Sequence, residues 1–578
     1  MKRKSLAALL AVPLFAGVIA VAPAAAEPAA QPALSGKTVE YNVLAADGVS
    51  VKQAERAVRA AGGKVVRSNA AVGLITATAP ESGFTARLAD DDEVLYTARK
   101  ALVGKSPKAR KQRADDSVVE KENAQGARKA PAREPERSTA GMDPLDSQLW
   151  GLTSVRSDLA RTEQAGNKKV KVGVLDTGVD GSHPDIAPNF DAALSRNFTR
   201  DIPTDELGQV VDGPCEFRGC VDPANWDDGG HGTHVAGTIA AAANGMGVSG
   251  VAPNVSIVNI RGGQDSGYFF LQPVVDAITY SGDAGLDVVN MSFYVDPWRY
   301  NCLDNPADTP EQTAQQRTVI TAMTRAMNYA HRKGVTQIVS LGNGHEDTGK
   351  PQDDTGSPNF PGGISHPREI DNATCKSMPV DGPNAITVSA FGPSQVKADY
   401  SSYGTELISV SAPGGYFRDY FGTPWYRTNE NLILSTYPKN VALAEGAIDE
   451  DGNVTPHGEA LGVQKDCSAA GECGYYQFLQ GTSMASPHAS GVAALIVSEY
   501  GKYKRGSVSM KPAKVRSVLE GTAFEIPCPS PRTIDYLDEG RDATYTATCE
   551  GDLEYNGFYG NGAVDAWAAV TQGRQYLR

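Results

Sequence analysis

From residue 143 onward the sequence predicts an α/β fold, a doubly wound and mostly parallel sheet with helices on both faces. Three observations predict it. The runs KKVKVGVLD, VSIVNIR, LDVVNMSF, TQIVSLGN and AITVSA are short, β-branched and almost continuously apolar, as strands buried on both faces are. Longer helical runs such as LQPVVDAITYSG and QQRTVITAMTRAMNYAHRKG lie between them. Strand and helix in alternation build a parallel sheet, with reactive groups gathered at the carboxyl ends of the strands.

The elements follow in chain order. Residues 1–26 read as a secretory signal: MKRK is a basic start, SLAALLAVPLFAGVIAVA an apolar run, and Ala24–Ala26 a small-residue cleavage site. No later stretch is apolar enough to span a bilayer, so no membrane partner is expected. Residues 37–99 read as a small α+β unit. TVEYNVL alternates as a half-buried strand does, and VKQAERAVRAAGG places Val51, Ala54, Val58 and Ala61 on one helical face. KVVRSNAAVGLITATAP adds two strands, ESGFTARLADD a helix and EVLYTAR a last strand. That order, β-α-β-β-α-β, is the ferredoxin-like arrangement. Residues 101–142 are rich in charge and poor in large apolar side chains, and are expected to be a flexible linker. The formal net charge of −14 argues against nucleic-acid binding and for a self-repelling soluble chain, expected to be a monomer.

Eight cysteines all lie beyond residue 200, and export permits disulfides. Cys215 and Cys220, Cys467 and Cys473, and Cys528 and Cys549 are neighbours in sequence, which leaves Cys302 and Cys375. Zinc is the rival use, but no C-x-x-C is present. The connectivity stays open, because eight cysteines allow roughly a hundred pairings.

Three stretches carry chemistry. The strand VGVLDTGVD delivers Asp176 to a sheet edge, where a turn-forming Asp before Gly178 is the plainer reading. DDGGHGTHVAGTIA places His231 at a glycine-flanked helix start, one turn before His234. That spacing is not the i, i+4 of a zinc helix. QGTSMASPHASGVAAL places Ser483 at the start of a helix, where backbone N–H groups favour an anion, with Pro487 tolerated in the first turn. A serine is a poor nucleophile alone. It needs an imidazole to take its proton and a carboxylate to orient that imidazole.

At this point the chain resembles the subtilisin-like serine proteases. The motifs are VGVLDTGVDGSHPDI, HGTHVAGTIA, GVAPNVSI, DVVNMS, LGNG, NAITVSA, YSSYGTELISVSAPGG and GTSMASPHASGVAAL. The order Asp, His, Ser is the one known for subtilisin. The resemblance implies a triad of Asp176, His231 and Ser483, with Asn343 as an oxyanion donor. It implies a secreted endopeptidase acting on polypeptides, with no catalytic cofactor. Residues 27–100 become a propeptide domain that assists folding and inhibits the enzyme until it is cut away. The catalytic domain becomes 143–578, with disulfide-bearing insertions. Substrate is expected along edge strands at Ser266, Gly267 and Tyr268 and at Ser292, Phe293 and Tyr294, with Gly342 nearby. NMSFYV puts large rings where the family has glycines. The resemblance also implies a calcium site: Asp185 and Asn244 through side chains, Ala242, Met246 and Val248 through carbonyls, and Asp143 or Gln148 from the N-terminal side. Broad extracellular proteolysis and selective processing of particular precursors both remain open, and a dead binding scaffold is the third reading.

Overall fold

The structure, a computed structural model, describes residues 32–100, 116–131, 143–205, 207–361, 365–504 and 507–577. The signal segment expected at 1–26 lies outside them.

Seven strands form the main sheet: β5 (Lys171–Leu175), β6 (Arg196–Asn197), β7 (Ser256–Arg261), β8 (Val288–Met291), β9 (Thr336–Ser340), β10 (Ala385–Phe391) and β11 (Val410–Pro413). Their order is β11-β10-β9-β8-β5-β7-β6 and every pairing is parallel. Side chains alternate across the pleat. Val172, Val174, Val288 and Ile338 face one core, with helices α4 (His231–Ala240) and α7 (Thr482–Tyr500). Leu175, Val289, Met291 and Val339 face the other, with α5 (Leu271–Asp283) and α6 (Pro310–Lys333). Helix α6 starts at a capping box, Thr309 with Gln312, has Pro310 in its first turn and stops at Gly334. Among the described residues no helix is long and apolar enough to cross a membrane.

The small unit contains β1 (Ser35–Ala45), α1 (Val51–Ala60), β2 (Lys64–Asn69), β3 (Leu74–Ser82), α2 (Phe84–Leu88) and β4 (Val94–Arg99). Its antiparallel sheet has the order β2-β3-β1-β4. It docks on α5 and α6. Leu44, Val72 and Leu74 join the second core, Asn69 Nδ2 donates to Asp276, and Arg325 bonds Ala45 O, Val72 O and Asp47.

Four disulfides are present: Cys215–Cys220, Cys302–Cys375, Cys467–Cys473 and Cys528–Cys549.

The charged flexible linker expected over 101–142 is ordered where it is described, at 116–131. There the chain forms α3 (Asp116–Glu120) and a 3-10 turn, Glu122–Gln125. Glu122 and Asn123 are buried. The segment has few apolar residues to bury. It is ordered by ion pairs and hydrogen bonds to distant residues, which composition does not register.

Candidate active site

Asp176 follows β5 directly, and His231 opens α4. The two elements meet through Gly232, where a Cβ would lie 2.0 Å from Gly178 O and 2.9 Å from Asp176 Cβ. That contact explains the glycine after the histidine. The result is a 2.6 Å hydrogen bond from His231 Nδ1 to Asp176 Oδ1, which also accepts from Thr177 N at 2.8 Å. Asp227, passed over in the sequence, fixes the start of α4. Its carboxylate accepts from Gly229 N, Gly230 N, Thr233 N and both the Thr177 and Thr233 hydroxyls. An Asp just ahead of a helix start is the signal that was available.

Burial disfavours a charged His231, but Asp176 and then Glu120 outweigh it and raise its pKa well above the usual histidine value. His234 differs. Burial pushes its pKa down to about 3, and its Nε2 serves Ile433 O and Gln477 O at 3.0 Å each. It is a neutral structural ring.

Ser483 begins α7 and lines a cavity with His231, Glu120 and Tyr437. A second cavity of about 390 Å³ runs from Ser483 past Gly342 and Asn343 to Tyr300, Glu346 and Glu406. Asn343 Oδ1 accepts from Thr482 N at 2.9 Å and from Thr482 Oγ1 at 2.8 Å. That fixes the amide flip and leaves Nδ2 as the donor available beside Ser483.

Ser266, Gly267, Tyr268, Ser292, Phe293 and Tyr294 all line the first cavity. Their expected strand conformation is corrected. Gln264 N donates to Tyr268 O and Gly267 N to Gln264 O, while Ser266 bonds Asp212 through both N and Oγ. With Gly267 at φ +84 the segment is a closed turn whose backbone groups bond one another. Residues 292–294 likewise follow the end of β8. The Ser292 hydroxyl is tied to Ser486 Oγ at 2.7 Å, joining β8 to α7. Phe293 stacks on Phe269 with 4.1 Å between centroids, and Tyr294 OH accepts from Asn359.

Around the loop 242–248, Asp185 Oδ2 accepts from Val248 N at 3.0 Å and Tyr476 OH at 2.8 Å, and Oδ1 from Asn244 Nδ2 at 3.1 Å. Asp143 accepts from Gly245 N at 2.7 Å. Ala242 N donates to Asp185 O, and Met246 N to Asn244 Oδ1. Gln148 is exchanged with Gln464 instead. Burial pushes Asp143 up to about 6 and Asp185 up to about 7. Arg161, the cation that opposes the rise at Asp143, pairs with Asp146. Two buried, cation-poor carboxylates beside an oxygen-bearing loop fit a calcium donor set in composition.

Comparison with known proteins places this geometry. The model of the subtilase family, peptidase family S8, matches residues 167–562. Subtilisin DY of Bacillus licheniformis is 28% identical over 377 residues, covering 65% of this chain and 92% of that protein. Fervidolysin of Fervidobacterium pennivorans is 30% identical over 398 residues, covering 66% of this chain and 41% of that protein. The crystal structure of the epidermin leader peptide processing serine protease from Staphylococcus aureus superposes with a TM-score of 0.59 at 19% identity, covering 93% of this chain and 98% of that one.

Proposed function

We propose, from the premise that this chain belongs to the subtilase family and is a serine endopeptidase, that Asp176, His231 and Ser483 are its catalytic triad. The observation that carries the assignment is the 2.6 Å bond from His231 to Asp176, with Ser483 at the start of α7 on the same cavity. Ser483 Oγ attacks the scissile carbonyl while His231 Nε2 takes its proton and later gives it to the leaving amine. Asp176 holds the ring in the tautomer that presents Nε2 and stabilises the cation that forms. Asn343 Nδ2 and the Ser483 N–H receive the oxyanion. A fluorophosphonate that labels Ser483 in the native protein, but not after Ser483→Ala, tests this directly.

The precursor is exported through residues 1–26 and inhibited by residues 27–100 until self-cleavage. Calcium, held by Asp185, Asn244, Asp143 and the carbonyls of Ala242, Met246 and Val248, stabilises the 242–248 loop and takes no part in the reaction. The mature enzyme is a monomer.

Selective processing is favoured over broad digestion by one observation. The Cys302–Cys375 disulfide ties the segment after β8 to the segment after Asn343, and Tyr300 from the first and Gln352, Asn372, Ala373 and Lys376 from the second wall the cavity that opens at Ser483. Comparing casein digestion with cleavage of defined secreted precursors separates the two roles.

A further inference from the structure

The triad assigned above needs the Nε2 edge of His231 free for the proton of Ser483. A carboxylate from upstream in the chain occupies that edge: Glu120 Oε1 lies 3.4 Å from His231 Nε2. The segment that delivers it is held closely. Gln480, three residues before Ser483, donates its backbone N–H to Glu120 O at 3.1 Å. Its side-chain amide donates to Val119 O and to Glu122 Oε2, at 3.0 Å each. Glu122 is clasped by Arg418 at 2.6 Å and Arg541 at 2.9 Å. Asn123, fully buried, donates to Leu461 O at 2.8 Å and Asn429 Oδ1 at 3.0 Å. These partners belong to the catalytic body, on the Ser483 side, whereas the small N-terminal unit is bound at α5 and α6.

A backbone N–H, two guanidinium groups and two carbonyl acceptors converge on five consecutive residues. Such a set reads peptide chemistry, and the arginine pair reads an acid. Charge-assisted and bidentate hydrogen bonds are the strong and specific ones. Removing one partner of a buried ion pair leaves the other uncompensated. The seat is therefore selective for Glu at the position of Glu122.

We propose that the catalytic body carries a seat for an acidic peptide against the turn preceding Ser483, and that residues 119–123 fill it as a second intramolecular inhibitor, with Glu120 closing the imidazole. This inhibitor lies downstream of the propeptide domain, so separating that domain alone leaves the enzyme shut. Activity requires the segment to leave. The emptied seat then takes acidic peptides of the same spacing.

The proposal rests on the serine-protease reading, and the test keeps the two apart. The full chain is exported, and each species is sized by mass spectrometry before and after labelling with a fluorophosphonate. Species that retain residues 119–123 label slowly, and Glu122→Ala speeds their labelling at least roughly tenfold, the loss of a charged hydrogen-bond pair. A synthetic peptide spanning residues 118–128 inhibits the processed enzyme competitively, and its Glu122→Ala version at least roughly tenfold more weakly. Full-rate labelling of unsubstituted species that keep residues 119–123 overturns the seat while leaving the chemistry intact, and so does equal inhibition by the two peptides. If no species labels, including those cut beyond residue 131, it is the serine-protease reading that fails.

Discussion

Two segments ahead of the catalytic body grip it in opposite ways. The unit at 35–99 brings its own apolar core, built on Tyr41, Val43, Ile75 and Phe84, and presses Leu44, Val72 and Leu74 into the core beneath α5 and α6. The segment at 119–123 carries one large apolar side chain, Val119, and buries Glu122 and Asn123. One grip is non-directional and scales with area. The other depends on a few charged and amide groups and fails steeply if one partner is lost. The first writes a periodic pattern into the sequence. The second writes nothing local.

The largest effect that probes this comparison removes the hydroxyl proposed as the nucleophile. Ser483→Ala costs on the order of 10⁶ in kcat, the size known for the nucleophile of a related triad. Both segments then stay attached, and the exported chain remains an uncut precursor on a gel. A variant that reaches mature size with no other protease present shows that cleavage is not self-cleavage.

The Asn343 side-chain oxygen is bonded to Thr482, so its substitution tests catalysis more directly than either grip. Losing one oxyanion donor costs about 10²–10³ in kcat with KM little changed. Asn343→Ala in the processed enzyme is expected to show that split in steady-state kinetics. A near-native kcat removes Asn343 from the mechanism.

The apolar grip is broken at Leu74. It is fully buried in the core shared by the two parts, and Leu→Ala in such a place costs about 2–5 kcal/mol. Thermal unfolding of the Ser483→Ala precursor is expected to weaken accordingly, while the enzyme freed of the unit keeps its kcat. A lowered kcat would mean that Leu74 shapes the catalytic body during folding and does more than hold the unit in place.

What the sequence disclosed follows the same division. The parallel strands, α4 and α7 were legible because they bury apolar and small residues in nearly unbroken runs, and Ser483 and His231 because a helix start and flanking glycines are local marks. The disulfide pairs were legible from nearness, with Cys302 and Cys375 left over, and they hold a two-strand ladder in the structure. Three features were hidden. The seat for Glu122 joins residues 296 and 419 positions apart. The turn at Gln264–Tyr268 depends on Asp212, an acceptor 54 residues before Ser266. The gathering of donors by Asp227 is a local arrangement hidden among other Asp and Gly residues.

The loop 242–248 supplies a third polar burial, and with it the smallest effect. Asp143 and Asp185 titrate near 3.9 in an unfolded chain, but burial pushes them to about 6 and about 7 when folded. A raised folded value means that the folded chain holds these protons more tightly than the unfolded one. Their contribution to stability is therefore complete below about pH 4 and is lost as pH rises through 6 and 7. Bound calcium would ionise both groups and supply RT ln(1 + [L]/Kd), about 2.7 kcal/mol at a hundredfold excess over Kd. Calcium should then matter little at pH 5, where protons compete for the carboxylates, and most near pH 7.5. Calorimetry with and without chelator at both pH values checks this, and Asp185→Asn should erase the chelator-dependent shift in Tm. A shift of the same size at both pH values, or one that survives Asp185→Asn, places any stabilising cation elsewhere. The loop would then be held by hydrogen bonds to its buried carboxylates, without the guanidinium partners that clasp Glu122.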